Sequence, residues 1–288
     1  MTIEDRVQSC IKTRESAAKV TEQVLKDFNA GSESDLRNLL QKNLANQKDI
    51  LPIGWYSPPP AGIGVLFGTS SDASRTRFPS FRQKPFWPKP DYSFGAEAVA
   101  TIYVSPVHTN GTIGDLGLSF YRGSNRKVQD HLRNCMEAIE DVADHARVGM
   151  QFNQLYQSAQ KIFRKRNLGH EWIITNLNVS GNSIGHTVPW SYELPTAAED
   201  MIINQADINE LKDTISHKRL YLDADESFVI PKTAAFTVES QLGSNLDDGL
   251  PNTFFHTIVT FIDGKKQVLS NFNPIFDTLG IDYMRSRF

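Results

Sequence analysis

Residues 98–121 read AVATIYVSPVHTNGTIGDLGLSFY. The first part, residues 98–104, is a run of apolar and β-branched residues, which is typical of a strand. The segment from Gly111 to Tyr121 opens with a turn-forming glycine and continues as a second strand-like run. The two segments together predict a β-hairpin.

Helical patterns lie on both sides of this hairpin. Residues 3–29 place apolar side chains three and four positions apart, and a second helix follows Ser32, whose hydroxyl suits a helix cap. Ser124 could cap a long helix after the hairpin. Further helices are expected at 151–163 and 199–216, and strands near 172–179, 183–190, 220–222, 228–230, 234–239 and 254–262. Partly segregated helices and strands predict an α+β fold, with residues 1–288 as a single domain.

The region 51–95 differs in character from the rest of the chain. Its dense prolines exclude regular helix, and its aromatic content argues against simple disorder. We expect a long loop region that could contain short strands, of the kind that often forms a binding site. Trp55 and Tyr56 could stack on an apolar group while Arg75 and Arg77 grip a carboxylate. The alternative is a surface loop packed by its own aromatic side chains.

Composition narrows the range of partners. The 288 residues carry a net charge of −3, which gives no electrostatic reason to expect nucleic acid or an anionic membrane. There is no apolar run long enough to span a bilayer, and we expect no signal peptide because the first residues lack its basic and apolar stretches. Cys10 and Cys135 are predicted to be buried free thiols. We expect a cytoplasmic protein that acts on a small molecule, and leave open whether it forms a homodimer.

Four segments carry a family resemblance. They are GTIGDLGLSF (111–120), GHTVPWSYELP (185–195), FTVE (236–239) and FHTIVT (255–260). In this order they resemble motifs of the pita-bread metallopeptidase family, which includes methionine aminopeptidases, Xaa-Pro peptidases and creatinase. The resemblance implies a pita-bread fold, in which a curved antiparallel sheet is backed by two helix pairs.

The resemblance also implies metal ligands. Members of this family hold two divalent ions with two Asp, one His and two Glu. Asp115 falls on the second Asp, His186 on the His and Glu239 on the first Glu. Asn182 is a rival for the histidine position, because residues 181–185 also fit the motif, but asparagine is a poor ligand for transition metals.

Two ligand positions depart from the family pattern. The first Asp falls on Val104, which cannot bind a metal, and the last Glu falls on His256. The resemblance therefore implies one ion held by Asp115, His186, Glu239 and His256. Two imidazoles with carboxylates suit Fe(II), and Mn(II) or Zn(II) are alternatives. The competing interpretation is a structural histidine in a relative that has lost its metal.

Two further positions extend this site. Tyr192 falls where the family has a second histidine, and we expect it or the neighbouring Glu193 to move protons or orient the substrate. His108, near Val104 on the hairpin, could replace the lost ligand or bind the substrate, although a solvated loop histidine is the simpler interpretation.

The functional prediction follows from the loss of one metal site. We expect a mononuclear-metal enzyme acting on a small amino-acid-like or carboxylated metabolite, by iron-dependent oxidation or by metal-assisted lyase or C–N cleavage. The first alternative is a single-metal aminopeptidase or other hydrolase. The second is a metal-free binding protein on the same scaffold.

Overall fold

The predicted hairpin belongs to a seven-stranded sheet. The computed structural model describes residues 1–69, 72, 74–171, 181–205 and 207–288. Neighbouring strands run antiparallel in the order β1-β2-β3-β6-β5-β4, and β7 pairs with β6. The strands are β1 (Ile63–Thr69), β2 (Ala98–Val104), β3 (Leu116–Tyr121), β4 (Leu168–Glu171), β5 (Ala234–Ser244), β6 (Thr253–Ile262) and β7 (Lys265–Leu269).

The predicted cap Ser32 lies at the start of its helix, and Thr2 caps the first helix in the same way. Thr2 and Ser32 each form a capping box. The hydroxyl of the capping residue accepts from the amide three positions later, and the carboxylate at that later position accepts from the amide of the capping residue. Asn125, and not the predicted Ser124, caps the helix after the hairpin. The helices are α1 (Ile3–Asp27), α2 (Glu33–Ala45), α3 (Arg126–His145), α4 (Phe152–Lys165), α5 (Ala197–Gln205), α6 (Ile208–Lys218) and α7 (Asn273–Thr278).

Several predicted elements differ from the structure. The helix expected at 199–216 is two helices, α5 and α6. The strands expected at 183–190, 220–222 and 228–230 form only isolated bridges, among them one between His186 and Tyr221. The loop region 51–95 contains one seven-residue strand, β1, which agrees with the short strands that the sequence allowed there. The strand expected near 172–179 lies outside the described residues.

The two faces of the sheet pack against different partners. One face packs on helices α1 to α4 through a large apolar cluster that includes Val104. The opposite face carries a smaller cluster that contains Trp55, Tyr56 and Tyr103. Because side chains alternate along a strand, Tyr103 and Val104 point to opposite faces. This alternation decides which residues of β2 can reach a site on the smaller-cluster face.

The two cysteines are free and buried, which confirms the prediction. Of the helices in the described part of the chain, none has the length and apolar character needed to cross a membrane.

Candidate metal and substrate site

Strand register brings two of the predicted ligands together. Glu239 on β5 lies directly opposite His256 on β6, and His256 lies opposite Gly117 on β3. A Cβ atom added at Gly117 would lie 2.4 Å from the ring of Phe254 and 3.1 Å from the Cβ of His256, so glycine provides the room that this crossing needs. Asp115 lies immediately before β3, at the same end of the sheet.

His186 reaches the same place from a segment beside β5. Its backbone carbonyl accepts from the amide of Thr237 at 2.8 Å, and its own amide donates to the Thr237 hydroxyl at 2.9 Å. The ring Nδ1 lies 3.0 Å from the carbonyl of Thr187, which leaves Nε2 facing Glu239. The structure places His186 beside Glu239, whereas Asn182 bonds through its side chain to the Tyr156 hydroxyl.

The four predicted ligands are near neighbours. The Nε2 atom of His186 is 3.5 Å from Oε1 of Glu239, and Nε2 of His256 is 3.8 Å from Oε2 of the same carboxylate. The His256 Nε2 atom also lies 4.0 Å from Oδ2 of Asp115. Yet in the described part of the chain no group of three or more His, Cys, Asp or Glu side chains is arranged closely enough to hold a metal ion as it stands.

His256 and Asp115 differ in their hydrogen bonding. His256 is fully buried, and neither of its ring nitrogens has a hydrogen-bond partner among the residues that the structure describes. Asp115, also buried, accepts from the Trp55 indole at 2.8 and 3.0 Å and from the Tyr103 hydroxyl at 2.8 Å. A buried imidazole without partners is costly unless something binds it, so His256 fits an ion that this site would hold.

Burial dominates the electrostatics of the site. It raises the pKa of Asp115 and of Glu239 to about 7 in each case, and the nearby Arg219 opposes the rise in both. Burial lowers the pKa of His186 and His256 well below the ordinary histidine value. Both imidazoles are therefore neutral near pH 7 and have the lone pairs that a metal ligand needs.

The site opens into a cavity with mostly aromatic walls. Trp55 and Tyr56, predicted to bind substrate, do line it. Sequence reasoning missed Arg219, whose guanidinium stacks 4.4 Å from the Trp55 ring centroid and 5.1 Å from that of Tyr221. Its position between the motif segments gave no signal, because only the fold brings it to the cavity. The lining residues are Trp55, Tyr56, Phe81, Tyr103, His170, Ser183, His186, Arg219, Tyr221, Glu239, Ser240 and Phe254.

Three predicted substrate-binding residues lie elsewhere. Arg75 is buried in an ion pair with Glu33, 2.6 Å apart, where it holds the loop against the start of α2. Arg77 is exposed and donates to the carbonyl of Leu250. His108 lies beside Lys12 and Lys48 at a different surface depression. None of the three is among the residues that line the cavity, because each lies in a different part of the molecule with polar neighbours of its own.

The two predicted catalytic residues are also engaged outside the cavity. The Tyr192 hydroxyl donates to the carbonyl of Lys218 at 3.1 Å, and its ring packs edge-on against Phe228. Glu193 forms an ion pair with Lys218, 2.8 Å apart.

Val104 is the position where the family resemblance places the first aspartate ligand. It lies fully buried in the apolar cluster on the helix side of the sheet, so its side chain points away from the site.

Solved structures show the same architecture. X-Pro aminopeptidase from Thermotoga maritima is 13% identical with a TM-score of 0.59, over 93% of this chain and 61% of that one. Methionine aminopeptidase from the same organism is 13% identical with a TM-score of 0.58, over 91% and 96%. Prolidase from Thermococcus sibiricus is 15% identical with a TM-score of 0.56, over 91% and 59%. The chain thus spans about three-fifths of the first and third of these proteins and nearly all of the second.

The sequence itself carries the family assignment. No curated protein sequence matches the chain significantly. Residues 11–212, which include the hairpin, Asp115 and His186, match the sequence profile of metallopeptidase family M24. The seven-stranded antiparallel sheet agrees with the architecture of these solved structures. The chain therefore belongs to metallopeptidase family M24 and has the pita-bread fold.

Proposed function

We propose that this chain is a hydrolase that uses one divalent ion, held by His186, Glu239 and His256, to act on a small substrate with a free carboxylate. The observation that carries the proposal is the buried His256 ring, which has no hydrogen-bond partner in the described part of the chain and lies within 4 Å of two carboxylates. Members of family M24 bind divalent metals, and the similar structures are named as peptidases.

The donor spacing supports a single ion. Two ligands about 2.1 Å from a tetrahedral ion lie about 3.4 Å from each other. His186 Nε2 lies 3.5 Å from Oε1 of Glu239, and His256 Nε2 lies 3.8 Å from Oε2. Both separations are slightly larger than this value, so small side-chain rotations would bring the three groups to ligand distance. Val104 cannot provide the ligand for a second ion, because its side chain lies on the other face of the sheet.

The donor types support hydrolysis and one competing reaction. Two histidines and a glutamate hold the zinc of many one-metal hydrolases, and two histidines and a carboxylate also hold Fe(II) in oxygenases. When bound, the ion would act as a Lewis acid on the substrate carbonyl. Family membership favours hydrolysis. Iron-dependent oxidation is the second candidate because it needs the same donor set, whereas no contact among the described residues favours lyase cleavage.

Arg219 defines the substrate class. Its guanidinium lines the cavity beside Glu239, and its Nη2 atom donates to the Tyr221 hydroxyl at 2.9 Å. Stacking on Trp55 fixes the plane of the guanidinium, and a fixed guanidinium suits two-point recognition of a carboxylate. Phe81 and Phe254 supply apolar wall and exclude water around the substrate's remaining groups.

The proposal is tested with metal-free protein reloaded with Zn(II), Mn(II) or anaerobic Fe(II). A panel of dipeptides and N-acyl amino acids is supplied with free or amidated carboxyl ends. We expect metal-dependent turnover that favours the free acids, and poor cleavage of standard Met- and Xaa-Pro peptides. Arg219→Met should raise KM for the free acids at least about tenfold, equivalent to about 1.4 kcal/mol, and leave the amides unchanged.

Arg82→Met is the matched control for Arg219→Met. Arg82 also stacks on a cavity aromatic, 4.2 Å from the Tyr56 ring centroid, but it does not line the cavity itself. Oxygen consumption by the Fe(II) form, without hydrolysis by any form, would instead support the oxidase. A protein that binds no divalent ion would contradict both reactions and favour a metal-free binding protein.

A further inference from the structure

Two side chains of the protein itself donate to the carboxylate of Asp115, and both of them reach its Oδ2 atom. An ionised carboxylate has about four lone-pair positions, two on each oxygen. The Trp55 indole N–H is shared between Oδ1 and Oδ2, and the Tyr103 hydroxyl donates to Oδ2. Both positions on Oδ2 are therefore occupied, and Oδ2 is the oxygen that lies 4.0 Å from His256.

The donors to Asp115 are held in place by the packing around them. Trp55 and Tyr103 are buried, and each packs edge-on against Tyr56 between them. Tyr103 also stacks on Phe81 with the two rings 11° from parallel. Neither ring can swing away from Asp115 without opening the aromatic cluster on this face of the sheet.

The backbone of Asp115 is fixed as well. The guanidinium of Arg14, fully buried on α1, donates to the carbonyl of Asp115 and, at 2.9 Å, to the carbonyl of His256. It also donates to the carbonyl of Ser270. The carboxylate of Asp115 thus cannot move toward the histidines by a shift of the main chain unless this buried network breaks.

We propose that Asp115 is not a ligand of the metal ion in this chain, and that it instead anchors Trp55 and Tyr103 as the wall of the substrate cavity. The inference rests on the proposed function, since it divides the four predicted ligands into three that bind the ion and one that does not. The hydroxyl of Tyr103 and the indole of Trp55 occupy the side of Asp115 that an ion would otherwise approach. Asp115 is then a positioning residue, and it acts through the aromatic side chain on which Arg219 stacks.

The experiment compares Asp115→Asn with Glu239→Gln. Both substitutions keep the side-chain shape and remove one negative charge from the same site, so they share the Coulombic loss of ion affinity. What separates them is the set of ligands, which the visible absorption spectrum of bound Co(II) reports. With Co(II) at saturation we expect Asp115→Asn to keep the wild-type spectrum and Glu239→Gln to change it. We also expect Glu239→Gln to bind Co(II) at least about tenfold more weakly than Asp115→Asn.

The Trp55 indole provides a second reading without catalysis. Its N–H proton resonance is assigned by its absence in Trp55→Phe and is followed as Zn(II) is added to wild-type protein. We expect the strongly hydrogen-bonded shift to persist in the zinc-loaded form. Loss of that shift on zinc binding, or a Co(II) spectrum altered in Asp115→Asn, would overturn the inference and leave the one-ion enzyme standing.

Failure of the proposed function has a different signature. If wild-type protein binds neither Co(II) nor Zn(II), the one-ion enzyme is contradicted. The indole resonance still decides the role of Asp115 in that case. A strongly hydrogen-bonded shift that disappears in Asp115→Asn supports the anchor, and an ordinary shift in wild-type protein contradicts it.

Discussion

Asp115 and His256 lie 4.0 Å apart at closest approach and are both buried, yet they differ in hydrogen bonding. Two side chains make three hydrogen-bond contacts with the carboxylate of Asp115, and among the described residues none reaches the ring of His256. Residue type would make both of them ligands. The difference teaches that hydrogen-bond saturation decides which buried donors remain available to an ion.

Glu33 is an internal reference for the saturated case. It is fully buried far from the cavity and accepts from the amides of Phe67 and Lys89 at 2.7 and 3.0 Å. Both of its oxygens also accept from Arg75. Its partners are all protein groups and its role is to join the loop to α2. Asp115 resembles Glu33 in this respect more than it resembles Glu239.

The largest effect is expected from Val104→Asp, which tests whether β2 could ever supply a ligand. A carboxylate at this position would be buried without partners among apolar side chains. We expect the free energy of unfolding in urea to fall by on the order of 4 kcal/mol, with no second equivalent of metal bound. Val104→Ala, which only creates a cavity, should cost about 2 kcal/mol. A stable Val104→Asp protein with two ions would show that this side chain does face the site.

The second prediction breaks the reference carboxylate. Arg75→Met leaves Glu33 buried without its cation, and we expect a loss of about 3–5 kcal/mol of stability. Arg77→Met, on the exposed neighbouring arginine, should change stability by no more than about 0.5 kcal/mol. Zinc titrations should give wild-type affinity for both. A normal melting curve together with a raised KM in Arg75→Met would return Arg75 to the substrate site.

The third prediction contrasts the two ends of the candidate site in metal-free protein. Tyr103→Phe removes a hydrogen bond from the Asp115 carboxylate and should cost about 1.5–3 kcal/mol. His256→Leu removes a ring that has no partner, and we expect a change of less than about 1 kcal/mol or a gain in stability. Urea unfolding in the presence of a chelator measures both. Equal losses in the two variants would mean that His256 has a partner of its own.

The smallest effect is a pH dependence at His170, which lines the cavity. Burial lowers its pKa to about 4, below the ordinary value of 6.5. The unfolded state therefore binds a proton that the folded state rejects, and stability is lost as the pH falls from about 6.5 toward 4. Asp115 and Glu239 have raised pKa values and act in the opposite direction, so the informative quantity is the difference between proteins.

His170→Gln isolates this contribution. The variant should become more stable relative to wild type as the pH falls from 7 toward 5. Thermal melts of both proteins at several pH values measure this trend. A difference that stays constant with pH would show that His170 is solvated and titrates normally.

The local sequence predicted much of the fold because its signals act over short distances. The strand at 98–104 has the predicted ends, and the predicted capping residue Ser32 lies at the start of α2. The motif order identified the family, and the family profile confirms it. The split between α5 and α6 was not predicted, and neither were the bounds of β1 within the loop region. Both depend on what the segments pack against rather than on local pattern.

The sequence by itself determined which residue types come to the site. The motif spacing selected Asp115, His186, Glu239 and His256, and the structure places these four side chains within 4 Å of a neighbour in the group. Through the family resemblance it also predicts that one family ligand is missing. The apolar pattern of two paired strands sets their register, and the register of β5 and β6 places Glu239 opposite His256. The sequence therefore already contains the information that brings these two residues together.

Only the tertiary structure decided which of these residues are available for chemistry. Trp55 comes from a loop 60 positions before Asp115, and Arg219 comes from the end of α6, so no spacing in the sequence relates either to the site. The same folding that brings Arg219 into the cavity turns Arg75 away to Glu33. Hydrogen bonds and burial are properties of the packed chain, and a side chain's partners exist only after distant segments meet.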